Sequence, residues 1–367
     1  MMFSRTFLLL VLGGLLVAPL PFLATAEEAP PLEIGEYVVP EDVACKIREQ
    51  WLDTIAATYE PDTWAPLKWE PTNEQLAMLG LPSREWLMAN EFPVPTAVYP
   101  NGETVQVTLP AVAAYGGAGC FGIRPGAWLL LLDGGVGWCS MAHVYGSPGS
   151  YSISTAGHCG KVGDRATVIA AFSNTGIPIL LDFGKFSKST GDGGIGKDWA
   201  LISVESQYQH LVSPTMCAWG GPTGMFTKMG ATVGVNWPRQ IGRVPSVSTN
   251  TDPFLPQAIL HYGHGTGLGQ AVGSARVAAA VDWRASYFTW FGAISFGDSG
   301  SGSNTAAGDS IGAVREAAGI NTHIYIDGLQ LFKTGTGYLA STRATEVTGT
   351  LANGQLAPYP APVPIAP

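Results

Sequence analysis

Short β-branched and aromatic runs separated by glycine-rich turns predict an all-β protein, an antiparallel sandwich or barrel. Three observations carry that expectation. From residue 112 onward the runs recur at 128–132, 141–145, 151–155, 166–172, 199–204, 310–314 and 323–326. Glycine makes up 47 of the 367 residues, and it supplies the turn conformations that side chains enter only with strain. No helical period is sustained over this part of the chain.

In chain order, Met1-Met2-Phe3-Ser4-Arg5, an apolar run over 7–23 and Ala24-Thr25-Ala26 form a basic start, an apolar core and a small-x-small site. That pattern is a signal peptide over 1–26, so the protein is expected to be secreted. A membrane anchor fits less well, because Gly13, Gly14, Pro19 and Pro21 interrupt the run and it falls short of a span of about 20 residues. No later segment is apolar enough to span a bilayer, so no membrane association is expected after signal removal. Residues 27–112 are richer in Trp, Pro and acids, with helix-like pieces at 40–58 and 72–80, the latter stopped by Gly80 and Pro82. This region is either a pro-segment or an ordered lead-in packed on the strand-rich domain of 113–345. Residues 346–367 form a Pro-rich tail expected to be extended.

Only 13% of residues are charged and the net charge is −9, which excludes the basic face a nucleic-acid binder needs. The five cysteines, Cys45, Cys120, Cys139, Cys159 and Cys217, lack zinc-site spacing, so disulfides are expected. The odd count leaves one thiol free or intermolecular.

Thr155-Ala156-Gly157-His158-Cys159-Gly160, Asp198-Trp199-Ala200-Leu201-Ile202 and Gly297-Asp298-Ser299-Gly300 supply an imidazole, a carboxylate and a hydroxyl in the order His, Asp, Ser. A serine hydroxyl becomes a nucleophile when an imidazole takes its proton, and a carboxylate holds that imidazole in the right tautomer. The order differs from subtilisin-like (Asp, His, Ser) and α/β-hydrolase (Ser, Asp, His) solutions. Asp182 and Asp192 also lie between His158 and Ser299, but only Asp198 leads into an apolar strand-like run. Gly308-Asp309-Ser310 is a decoy, because Ile311 follows where the motif needs glycine.

Tyr151-Ser152-Ile153-Ser154-Thr155-Ala156-Gly157-His158-Cys159 resembles the histidine motif of chymotrypsin-like serine proteases, above all their secreted bacterial branch, and Gly297-Asp298-Ser299-Gly300 resembles their nucleophile motif. The resemblance covers roughly 115–345. It implies two antiparallel β-barrels with the active site between them, Ser299 as nucleophile, His158 as base then acid, and Asp198 as its orienting carboxylate. The backbone N–H groups of Gly297 and Ser299 would form the oxyanion hole, and Asp298 would be buried against a cation or hydrogen-bond donors, an arginine being one candidate. Cys139, twenty residues before Cys159, would be its disulfide partner; Cys217 is expected to pair with Cys120 or Cys45.

The family's pocket floor falls on Ala293, followed by Ile294, Ser295 and Phe296, with no acid to hold a Lys or Arg side chain. An apolar or small P1 residue, the one on the acyl side of the cut bond, is therefore expected. Two departures stand out. Ser301 replaces a usual glycine, and Arg315-Glu316-Ala317 stands where the family has Ser-Trp-Gly, putting Arg315 at the pocket wall. His261 and His264 lack further ligands for a metal, so a turn-bound or exposed role is expected. The resemblance implies protein or peptide substrates, with no metal and no cofactor; a monomer is expected, the sequence itself leaving the oligomeric state open. The rival readings are a catalytically silent relative that binds proteins and, less well supported, a secreted esterase, since no Gly-x-Ser-x-Gly elbow surrounds Ser299.

Overall fold

A computed structural model describes residues 64–109, 121–227, 230–231, 258–264, 274–294, 296–307, 314–325, 336–348 and 356. The described chain begins with β1 (Trp64–Pro66), two short helices, α1 (Asn73–Met78) and α2 (Arg84–Ala89), and the hairpin β2 (Thr96–Val98) and β3 (Thr104–Gln106). α1 lies within the expected 72–80. Thr72 Oγ1 accepts from the Gln75 N–H and Gln75 Oε1 accepts from the Thr72 N–H, a capping box that satisfies two otherwise orphaned donors. The expected helix at 40–58 lies outside the described residues.

The first barrel comprises β4 (Trp128–Leu131), β5 (Gly137–Ser140), β6 (Val144–Tyr145), β7 (Ser152–Thr155), β8 (Arg165–Phe172), β9 (Pro178–Ser189) and β10 (Ala200–Val204), in the order β5-β4-β8-β9-β10-β7-β6. β5 and β6 are the two ends of one bent segment. The Ala142 N–H donates to Ser154 O and the Ser154 N–H to His143 O, so this segment pairs with β4 at one end and β7 at the other, closing six strands into a barrel. β4 explains its own uninterrupted apolar run. Leu129 and Leu131 point into the barrel, while Trp128 and Leu130 face out beneath Leu76, Leu81, Leu87 and Phe92 of the lead-in.

The second barrel comprises β11 (Gly224–Met225), β12 (Gly230–Ala231), β13 (Ala258–Gly263), β14 (Ser274–Trp283), β15 (Tyr287–Ala293), β16 (Gly302–Ala307), β17 (Val314–Tyr325) and β18 (Thr336–Arg343). The ring runs β17-β16-β13-β14-β15-β18 and closes by pairing β18 with β17. Trp283, Phe288, Trp290, Ile324 and Leu339 fill it. β17 joins Val314 of the expected run at 310–314 to residues 323–325 of the run at 323–326; the other residues of both runs lie outside the described residues. β14, β16 and β18 escape sequence reading because they are built largely of Ala, Gly, Ser and Thr. A short helix, α3 (Ala344–Thr348), follows and buries Val347 against the first barrel, and Leu356 of the Pro-rich tail bridges to Tyr145. Among the described residues no helix is long and apolar enough to cross a membrane.

Candidate active site

His158 lies in a 3-10 turn, Gly157–Cys159, directly after β7, and Asp198 lies two residues before β10 begins. The His158 N–H donates to Asp198 Oδ1 at 2.9 Å, and His158 Nδ1 meets Asp198 Oδ2 at 2.5 Å. A carboxylate only accepts, so Nδ1 carries the hydrogen and Nε2 presents its lone pair to its partner, Ser299 Oγ. Asp198 and Ser299 are fully buried. The turn needs Gly157, because a Cβ there would overlap the carbonyl oxygen of Gly191. The bridge between Cys159 and Cys139 ties the turn to β5. Cys217 is also disulfide-bonded; Cys45 and Cys120 lie outside the described residues. The other two acids go elsewhere. Asp182 accepts from the Phe92 N–H, Thr167 Oγ1 and Arg165, whereas Asp192 reaches His323.

Ser299 sits in the loop between β15 and β16, where Gly297 and Gly300 take φ of 97° and 83°. These are left-handed conformations that favour glycine, and a Cβ on Gly300 would also overlap Thr155 Oγ1. The Ser140 N–H donates to Ser299 O and Ser140 Oγ to Gly297 O, pinning the loop to the first barrel. The Gly297 N–H points into the cleft and donates to Leu67 O at 3.0 Å. Asp298 is buried and ion-paired with Arg276 of β14, against Gly263, whose hydrogen leaves room for the carboxylate. Ser301 is accommodated because its hydroxyl accepts from Asn321 Nδ2 at 2.9 Å.

His158 and Asp198 thus come from one six-stranded antiparallel barrel, Ser299 from a second, and the three meet in the cleft between them. This is a chymotrypsin-like fold. No family model matches the chain, and no curated protein matches it in sequence. Among solved structures it is similar to protease A of Thermobifida fusca, at 15% identity over 62% of this chain and 94% of that one, with a TM-score of 0.38. It is also similar to AL20, a thermostable serine protease from an extremophilic microorganism (15% identity, 59% and 89% covered, TM-score 0.34). A third likeness is to a Glu endopeptidase in complex with MPD (12% identity, 65% and 91% covered, TM-score 0.36). The fold assignment rests on the barrels and their shared cleft, not on these likenesses.

Within the chymotrypsin-like frame the pocket residues separate. Ile294 is buried in the apolar cluster of the second barrel and Phe296 packs against that cluster. The backbone of Ala293 pairs with Thr336; its side chain and Ser295 lie outside the described residues. Arg315 is not at the cleft. It lies near the start of β17, packed on Gly221, seven residues and roughly 23 Å of strand before Thr322. The part of β17 beside the triad is Thr322 and His323, because the strand runs on well past the position that counting from motifs assigns to the family's trio. His323 Nδ1 lies 2.9 Å from Thr322 Oγ1 and 3.6 Å from Asp198 Oδ2, and its Nε2 lies 3.2 Å from Asp192 Oδ1. The hydrogen bond to His323 holds the Asp192 carboxyl down to about 2. Nothing local to His323 in the sequence announces this role; it reads only as part of a strand.

Asp192, Asp198 and His323 offer three possible metal-ligand atoms within 4.8 Å of one another, but His158 already engages both oxygens of Asp198. Contrary to the exposed role open to them in the sequence, His261 and His264 are both buried. His264 Nδ1 donates to Gly126 O at 2.7 Å beneath the Trp128 ring, and burial pushes its pKa down to about 3.

Proposed function

We propose that the chain is a secreted serine endopeptidase. The observation that carries this reading is the relay from Ser299 Oγ through His158 Nε2 and Nδ1 to Asp198. In it His158 takes the Ser299 proton as Oγ attacks a peptide carbonyl, Asp198 stabilises the resulting imidazolium, and the N–H groups of Gly297 and Ser299 receive the oxyanion. His158 then protonates the leaving amine, and water releases the acyl group by the same path. Secretion is supported by the leader over 1–26 and by the disulfide between Cys139 and Cys159, a bond that persists in oxidising compartments.

The preference is for an apolar or small P1 side chain. Among residues 293–296 there is no acid, and the buried Ile294 belongs to an apolar cluster. A methylene buried there gains about 0.8 kcal/mol, whereas an unpaired cationic head costs several kcal/mol.

A fluorophosphonate probe is expected to label Ser299 in the wild type. Ser299→Ala, His158→Ala and Asp198→Asn should each lower kcat/KM by about 10³-fold or more, without adding up when combined, because the three act as one unit. Matched peptide p-nitroanilides ending in Leu, Ala, Arg or Glu report the pocket, and faster release after Arg or Glu would overturn the apolar assignment. A folded protein that neither labels nor hydrolyses would instead be a silent, protein-binding relative.

A further inference from the structure

We propose that the first substrate of this protein is its own Leu67–Lys68 bond, cut in cis by Ser299, and that before the cut residues 64–69 fill the cleft. The proposal rests on the serine endopeptidase reading above.

β16 pairs with β17 only as far as Gly302 opposite Ile320. The backbone of Asn321 still bonds to Ser301 O and the Gly300 N–H, but from Thr322 onward that edge of β17 faces the cleft, and an open strand edge recruits an extended chain. β1 is that chain. It runs antiparallel with Trp64 opposite Tyr325, Ala65 opposite Ile324 and Pro66 opposite His323, and the next N–H, that of Leu67, donates to Thr322 O at 2.9 Å. The Leu67 carbonyl then turns to the Gly297 N–H at 3.0 Å, the donor assigned above to the oxyanion. Its side chain is fully buried in the apolar cluster that contains Ile294 and Ile324. Two residues further on, Trp69 O accepts from the Trp138 N–H at 2.8 Å and the two indoles lie 5.2 Å apart, so the chain has crossed to the first barrel. Residues 64–69 therefore span the cleft with backbone pairing on both barrels. The bond between the two anchorages whose carbonyl meets Gly297 is Leu67–Lys68.

An ordinary structural lead-in would account for the strand pairing. It would not account for a leucine in the apolar pocket inferred from residues 293–296 while its carbonyl occupies the oxyanion donor. Both features follow together if the segment lies as a substrate.

In the reaction Ser299 Oγ bonds to the Leu67 carbonyl carbon as His158 Nε2 takes the hydroxyl proton. The carbon–nitrogen bond then breaks, and that proton passes to the Lys68 nitrogen, the new amino terminus. Water gives a proton to His158 and adds to the Leu67 ester, releasing a Leu67 carboxylate and restoring the Ser299 hydroxyl. Tethering replaces a bimolecular encounter with an intramolecular one. After the cut, residues 64–67 keep their pairing with β17 and the seat of Leu67 in the apolar cluster, whereas the chain from Lys68 stays fixed through Leu76, Leu81 and Leu87 on the first barrel.

The test follows the full chain, refolded by dilution over a hundredfold range of concentration, by intact mass and amino-terminal sequencing, with fluorophosphonate labelling in parallel. The expected result is a new amino terminus at Lys68, formed at a rate independent of concentration, and none in Ser299→Ala. Leu67→Asp should slow the cut at least tenfold, while Leu67→Met, which keeps an apolar side chain there, should cut within threefold of wild type. A labelled wild type with a different amino terminus would overturn the proposal and leave the peptidase reading standing. The same holds for a rate proportional to concentration, an equal cut in Ser299→Ala, or an unslowed Leu67→Asp. A wild type neither labelled nor cut would overturn both.

Discussion

The buried carboxylate of Asp298, next to the nucleophile, shows what a single residue demands of its surroundings. Removing a charge from water costs several kcal/mol unless a partner replaces the solvent, and Arg276 on β14 is that partner. Gly263 completes the arrangement by leaving space where a Cβ would overlap Asp298 Oδ1. Arg276→Met should therefore lower stability by about 3–5 kcal/mol, since it strands a buried charge, and it should disturb the Ser299 loop as well. Urea denaturation in the Ser299→Ala background checks this without interference from self-cleavage. A loss below 1 kcal/mol would mean that Asp298 is held by other groups.

At the scale of elements, the histidine turn is secured from two directions. Asp198, at the entry to β10, receives the His158 N–H, and the bond between Cys159 and Cys139 fastens the turn to β5. That disulfide closes a loop with a sequence separation of 20, for which unfolded-chain entropy gives roughly 3 kcal/mol. The double variant Cys139→Ser/Cys159→Ser should lose about that much, with a lower melting temperature and reduced kcat, because the turn that carries His158 is no longer pinned. α1 offers a milder case. Thr72→Ala removes one half of the capping box and should cost about 1 kcal/mol, measured by the same denaturation.

Over the whole molecule, two histidines are folded away as neutral groups. His143 Nε2 donates to Gly319 O, from the bent segment of the first barrel to β17 of the second, and burial pushes its pKa down to about 4; His264 falls to about 3 for the same reason. In the unfolded chain both take a proton near pH 6.5, so between that pH and the folded values the unfolded state binds more protons. Their contribution is fully present above about pH 6.5 and is lost as pH falls through 6 and 5 toward 4, on the order of 3 kcal/mol for His143 alone. The urea midpoint of the Ser299→Ala protein should decline over this window, and His143→Gln should flatten the decline. An equally steep decline in His143→Gln would assign the acid sensitivity to other groups.

The sequence by itself determined what short-range chemistry can encode. The β4 run, the Gly80 and Pro82 stop behind α1 and the glycines around His158 and Ser299 act within a few residues of themselves, so the all-β class, α1 and the His, Asp, Ser order were legible. The relevance of Asp198 over Asp182 and Asp192 was legible too, because it alone leads into the strand that β10 forms. Only the tertiary structure decided which distant groups meet. Arg276 of β14 reaches Asp298 in the loop before β16, His323 comes to Asp198 because β17 is one continuous strand where the sequence shows two separate runs, and Arg315 is carried away from the cleft by the same strand. Leu67 meets Gly297 across more than two hundred residues of chain. Such contacts are set by which strand edges remain open once the barrels close, and an open edge has no signature in the local order of residues.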